Sequence, residues 1–156
     1  MKLAICHYAL NEFAEAHARL EEALVFAKEN CAGLEDRIQI AEILNNLGCL
    51  AYMCGQPIAA KAFYRDSLDI QFRTLSECLY ESTAFIGQSI SLNISITRAN
   101  IGFIKLVTKD LPVAITALEN ALMVSAAEAP PSTLLSLHLN SRFASVGTTI
   151  VTQRGA

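Results

Sequence analysis

The sequence predicts an all-α protein, a solenoid of antiparallel helix pairs, from three observations: a helix-compatible composition, a residue pattern recurring at fixed offsets, and turn signals inside each recurrence. Of 156 residues, 53% are hydrophobic and 17% charged, with seven Gly, four Pro and no Trp. Such a chain has ample apolar surface for a continuous core and few places to turn. The formal net charge is −3, with no run of Lys or Arg able to neutralise a line of phosphates, so nucleic acid is excluded as a partner.

Three segments carry the pattern without internal gaps. The first, LAICHYALNEFAEAHARLEEALVF, has a small residue at Ala4, then Ala16, Leu20, Ala23 and Leu24. The second, LNNLGCLAYMCGQPIAAKAFYRDSLDI, repeats the offsets with Gly48, Ala60, Tyr64, Ser67 and Leu68. In the third, ANIGFIKLVTKDLPVAITALENALMV, the positions are Gly102, Ala114, Leu118, Ala121 and Leu122. A small residue in the first helix of each pair and another early in the second let the two helices approach closely. The larger residues, Leu20, Tyr64 and Leu118, then fill the groove beside them. Asn11-Glu12, Gly55-Gln56-Pro57 and Lys109-Asp110-Leu111-Pro112 supply turn and capping residues between the helices.

Each pair leaves an apolar face that only a neighbouring pair can cover, which is what makes a solenoid. The pairs are expected at 1–32, with a truncated first helix, at 35–80 and at 85–127. The extra residues that lengthen the second interval lie between Phe72 and Arg98, with the break between helices near Glu77 to Gln88. Pro130-Pro131 is a strong stop, after which Ser132 can cap a lone helix over 131–153, the first of a fourth, incomplete repeat. Phe143, Val146 and Gly147 stand one lengthened period beyond Arg98, Ile101 and Gly102. The chain is thus expected to open and close on half repeats, so that it is either a fragment or covered at its ends by another subunit or a second copy.

Leu47, Gly48, Ala60, Tyr64 and Leu68 resemble the signature of the tetratricopeptide repeat family, and the lengthened repeats with Asn45-Asn46-Leu47 look like the kinesin light chain type. The resemblance implies a right-handed superhelix whose concave surface, lined by the first helix of each pair, binds extended or helical peptides. Departures from the signature are Leu44 and Arg98 at the tryptophan-like position, Ser67 in place of alanine, and no repeat-ending proline.

On that surface the sequence places Asn45, Asn46, Cys49 and Met53 with Glu42 in the second pair, and Ile96, Ala99, Asn100, Phe103 and Val107 in the third; Ile5 and Ala9 belong to the first. Asn46 and Asn100 occupy the same place in their repeats. A carboxamide offers both a donor and an acceptor, so the two could clamp a peptide backbone; equally, they could satisfy local backbone groups or face water. Cations that would grip a terminal carboxylate are missing, since Ile96 and Asn100 stand in their places, and a neutral, apolar groove suits a helix or a neighbouring subunit.

Catalysis finds no support: the chain has no phosphate-cradling glycine loop and no ligand cluster at metal spacing, and neither cofactor nor metal is expected. Cys6 and His7 are adjacent on a helix and point about 100° apart, which is the wrong geometry for a thiol–imidazole pair. Cys6, Cys31, Cys49, Cys54 and Cys78 lie among apolar neighbours in no CxxC spacing, as buried, reduced thiols do, which predicts an intracellular, cytoplasmic protein. Polar residues interrupt the apolar stretch from Thr83 to Val107 too often for a membrane span. The function expected is a non-catalytic adaptor or scaffold for other proteins; the alternatives are a structural subunit of a large assembly and the repeat region of a longer regulatory protein.

Overall fold

The computed structural model describes residues 2–81 and 84–128, and all the regular structure among them is helical: α1 (Lys2–Ala9), α2 (Phe13–Glu29), α3 (Leu34–Met53), α4 (Pro57–Glu81), α5 (Ala84–Val107) and α6 (Leu111–Glu128). Each helix packs against the next in the chain, and α3 also touches α5. This is the all-α, tetratricopeptide-like solenoid that the sequence predicts. The helix expected over 131–153 lies outside the described residues. Helix α4 ends and α5 begins inside the window expected for the break.

Internal repetition extends to individual backbone hydrogen bonds. At the turn of each pair one residue takes a left-handed conformation: Asn11 (φ 61°), Gly55 (φ 74°) and Lys109 (φ 64°). In each case the residue after it donates its N–H to a carbonyl five residues back, Glu12 to His7 and Gln56 to Ala51 at 2.9 Å, and Asp110 to Lys105 at 2.9 Å. The left-handed residue itself donates three residues back, to Tyr8, Tyr52 and Leu106. These are Schellman closures, which satisfy carbonyls that the helix end would otherwise orphan. A base before the turn also meets an acid after it in the first and third pairs, where His7 Nδ1 lies 2.6 Å from Glu12 Oε2 and Lys105 pairs with Asp110.

Only glycine adopts the left-handed conformation without steric cost, while asparagine tolerates it and lysine does so poorly. Lys109→Gly is therefore expected to raise stability by about 0.5 kcal/mol, seen as a higher urea midpoint at unchanged slope. Asn11→Gly should change little.

Register within the pairs is antiparallel. In α3/α4, Gly48 meets Tyr64, Ser67 meets Ala41, and Arg37 pairs with Glu77, so the partners move in opposite directions along the two helices. In α5/α6, Gly102 meets Leu118 and Ser95 meets Ala121. The small residues allow the approach: a Cβ built on Gly48 would sit 2.5 Å from the Tyr64 ring, and one on Gly102 would sit 3.0 Å from Leu118 Cγ. Ala4, Ala16, Ala60 and Ala114 are buried at the matching places, as is Tyr64, while Leu118 is half-buried.

The core is segmented. One cluster joins α1 to α3 through Ala4, Ala16, Leu20, Ile40, Ile43 and Leu47. A second gathers Ala51, Ala60, Tyr64 and Ile104, and a third gathers Cys78, Ile90 and Ile94 against Leu34, Ile38, Leu68 and Leu75. At the start of α3, Asp36 accepts the backbone N–H groups of Ala32 and Gly33 at 2.9 and 3.0 Å, satisfying two donors ahead of the helix.

Candidate functional site

Helices α3 and α5 run parallel, because their contacts advance together along both. Asn93 Nδ2 donates to Glu42 Oε1 at 3.1 Å, Asn100 Nδ2 donates to Asn45 Oδ1 at 3.1 Å and to Cys49 Sγ at 3.5 Å, and Tyr52 meets the Phe103 ring edge-on at 6.3 Å. Contacts at 42, 45, 49 and 52 follow the stripe spacing that one helix presents to a neighbour. The seam is therefore a line of polar contacts ending in an aromatic pair.

This geometry separates the residues the sequence grouped together. Asn45, Cys49, Asn100 and Phe103 meet in the α3/α5 seam. Asn46 and Met53 do not join them: Asn46 is half-buried and Met53 is 42% exposed. Asn100 is only 9% exposed, and its amide group is directed at Asn45 and Cys49. Asn46 and Asn100 share a repeat position but have different surroundings: Asn100 reaches across to Asn45 and Cys49 of α3, whereas Asn46 stays half-buried outside the seam. Of the other residues expected on this surface, Ile96 and Ala99 are half-buried and Val107 is 50% exposed.

Cys49 sits between two donors, since the Tyr64 hydroxyl also points at its sulfur at 3.3 Å. Burial pushes the Cys49 thiol up to about 11 and the Tyr64 phenol well above its ordinary range, so both are neutral at physiological pH. Such a thiol is a packing group and a weak acceptor, not a nucleophile. Cys78 is buried too, whereas Cys31 and Cys54 are exposed, contrary to the expectation of buried thiols: both lie outside helices, Cys54 as the C-cap of α3. His7 is engaged with Glu12.

Desolvation raises the Glu42 carboxyl above its usual value, opposed by the hydrogen bond from Asn93. The folded state thus binds a proton more readily than the unfolded chain does. From Glu42, stability is gained as pH falls through the carboxylate range and lost as pH rises through the raised folded value. Glu42→Gln keeps an acceptor for Asn93 and removes the buried charge. The variant is expected to be at least as stable as the parent at pH 7, with its advantage shrinking toward pH 4 in urea titrations.

Sequence reading missed a set of buried cross-helix hydrogen bonds. Ser67 Oγ donates to the Ala41 carbonyl at 2.7 Å and Ser95 Oγ to the Ala121 carbonyl at 2.6 Å, while Gln71 Nε2 donates to Thr97 Oγ1 at 3.2 Å between α4 and α5. The available signal was Ser67 itself, which departs from the expected alanine because its hydroxyl ties the second helix to the first. Arg98, another of the departures, stands 5.3 Å over the Phe72 ring, so a cation–π contact fills the place of a large aromatic side chain.

Among the described residues, no three His, Cys, Asp or Glu side chains converge to hold a metal ion, and no helix is long and apolar enough to cross a membrane. Residues 40–77, most of the α3/α4 pair, match the model of the tetratricopeptide repeat family. That match supports the family and does not distinguish the kinesin light chain type within it. No curated protein and no solved structure matches the chain.

Proposed function

We propose that the chain is a non-catalytic scaffold or adaptor that holds a peptide or helix from another protein on the face formed by α1, α3 and α5. The observation that carries this reading is the tetratricopeptide repeat match, since repeats of that family typically mediate protein–protein interaction. In this reading Asn46 and Met53 contact the ligand with Ile96 and Val107, while Asn45, Cys49 and Asn100 hold α3 and α5 at the right separation. Phe103 serves both ends, packing on Tyr52 and lining the groove. The thiols of Cys31, Cys49 and Cys54 suit a reducing, cytoplasmic setting.

Affinity capture with quantitative mass spectrometry tests it. Asn46→Ala with Met53→Asp is expected to reduce recovery of the captured partner about tenfold, the loss of about 1.4 kcal/mol. Lys61→Ala with Asp69→Ala, on the exposed side of α4, should leave recovery unchanged. Equal recovery from both variants would remove the groove from the interface.

A second reading, a structural subunit of a large assembly, is favoured by the exposed apolar side chains of α6. Ile115 is 54% and Met123 73% exposed, at positions where α4 carries Lys61 and Asp69. Sedimentation of the isolated chain separates the two, because a well-behaved monomer excludes an obligate subunit.

A further inference from the structure

Glu35, Gln39, Asn46 and Met53 share one side of α3, falling within about 40° of one another around the helix axis. That side is opposite Arg37 and Gly48, which meet α4. Glu42 stands at the edge of the stripe beside α5, where its carboxylate holds Asn93. Glu35, Gln39 and Met53 are exposed, and Glu42 and Asn46 are half-buried. Because α3 and α5 run parallel, the face they form is graded along its length. The carboxylates of Glu35 and Glu42 lie toward the start of α3, whereas Met53, Phe103 and Val107 gather at the far ends of the two helices. Glu42 and Met53 are about 16 Å apart along the axis.

Neighbouring cations do not cancel the carboxylates. Of the three cations on α3 and α5, Arg37 reaches Glu77 of α4, Arg98 stands over Phe72 of α4, and Lys105 pairs with Asp110 at the turn into α6. Among the described residues, neither Glu35 nor Glu42 forms an ion pair. The face is therefore anionic at one end and neutral and apolar at the other. Glu42 is also partly desolvated, with one neutral amide as its donor, and this raises its carboxyl above the usual range. Part of the cost of burying that charge is thus borne before any partner arrives, so a cation placed on it gains more than one meeting a fully solvated carboxylate. An anionic segment would meet like charge at the same place.

We propose that the partner segment is a helix with Lys or Arg in one half and large apolar side chains in the other. It lies along α3 with its cations on Glu35 and Glu42 and its apolar half over Met53, Phe103 and Val107. The assignment rests on the face of α1, α3 and α5 being the binding face, and adds to it the partner's charge and direction.

The probes are peptides selected on the full chain from a displayed library of helix-forming sequences about 18 residues long, the span from Glu35 to Met53. Selected peptides are expected to carry Lys or Arg in one half and Leu, Ile or Phe in the other. In fluorescence anisotropy, synthetic copies should bind about tenfold more weakly to Glu35→Gln with Glu42→Gln, a variant that keeps an acceptor for Asn93. Added salt should weaken binding to the parent chain more than binding to this variant. Glu35→Lys, at an exposed position, keeps the test decisive should the double variant misfold: it should weaken the cationic peptides and tighten copies whose cations are replaced by Glu. Peptides that lose binding to Asn46→Ala with Met53→Asp, yet are neutral or acidic or ignore both glutamate variants, overturn the assignment and leave the binding face standing. Peptides indifferent to Asn46 and Met53 as well, or no enrichment at all, overturn both.

Discussion

Gly48→Ala is expected to destabilise the chain by about 3 kcal/mol, at the upper end of what a single added methyl costs in a packed core. The added Cβ would lie 2.5 and 2.7 Å from two ring atoms of Tyr64 and 3.0 Å from a third. The ring is rigid, 3% exposed, and tied through its hydroxyl to Cys49, so it has no cheap way to retreat. Gly102→Ala meets a milder obstacle, since the nearest atom is Cγ of a flexible leucine at 3.0 Å, and a loss of about 1 kcal/mol is expected. The first pair shows how the clash is avoided, with Ala4 in the same cluster as Leu20. Gly48→Ala combined with Tyr64→Leu reproduces that arrangement. Chemical denaturation of the four members of the cycle should show the second change rescuing the first, with a favourable coupling of at least about 1 kcal/mol. Additive losses would mean that the glycine is needed for something other than the ring.

Leu47→Ala is expected to cost about 3 kcal/mol, whereas Ile58→Ala should stay within about 0.5 kcal/mol of the parent. The two side chains are of similar size and apolarity, and only their placement differs: Leu47 is fully buried beside Ile43 and Leu50, while Ile58 is 85% exposed in the first turn of α4. Deleting Leu47 leaves a cavity flanked by the first and second pairs, so it weakens two interfaces at once. Thermal or urea unfolding of both variants decides the point. A comparable loss from both would mean that general hydrophobicity, and not the buried position, governs stability.

Much of the fold was legible because it rests on steric rules that sequence spacing encodes directly. A small residue opposite a large one at a fixed offset reports helix contact, and a proline or glycine between two such positions reports a turn. Gly48, Tyr64, Ala60 and Pro57 were readable for that reason. The candidate face was less legible, since the direction of a polar side chain depends on which helices flank it. Asn46 and Asn100 share a repeat position, but Asn100 reaches Asn45 and Cys49 across a seam that the offsets do not reveal. Ser67 and Ser95 were opaque for a similar reason. A hydroxyl that crosses to a carbonyl on the next helix looks, in sequence, like one that bonds within its own.

The three Schellman turns have a consequence for how the chain can vary in length. Each fixes the phase of the helix leaving the hairpin relative to the one entering it, and the contacts after it depend on that phase. One residue inserted inside a hairpin would swing everything downstream by about 100° and carry Tyr64 or Leu118 away from its glycine. Residues added between hairpins leave the phase within each hairpin untouched. The extra residues of this chain lie between the second and third of these turns, in the long α4 and α5. Its spacing is therefore punctuated, with invariant phrases and adjustable pauses, and lengthening a pause leaves the phrases on either side intact.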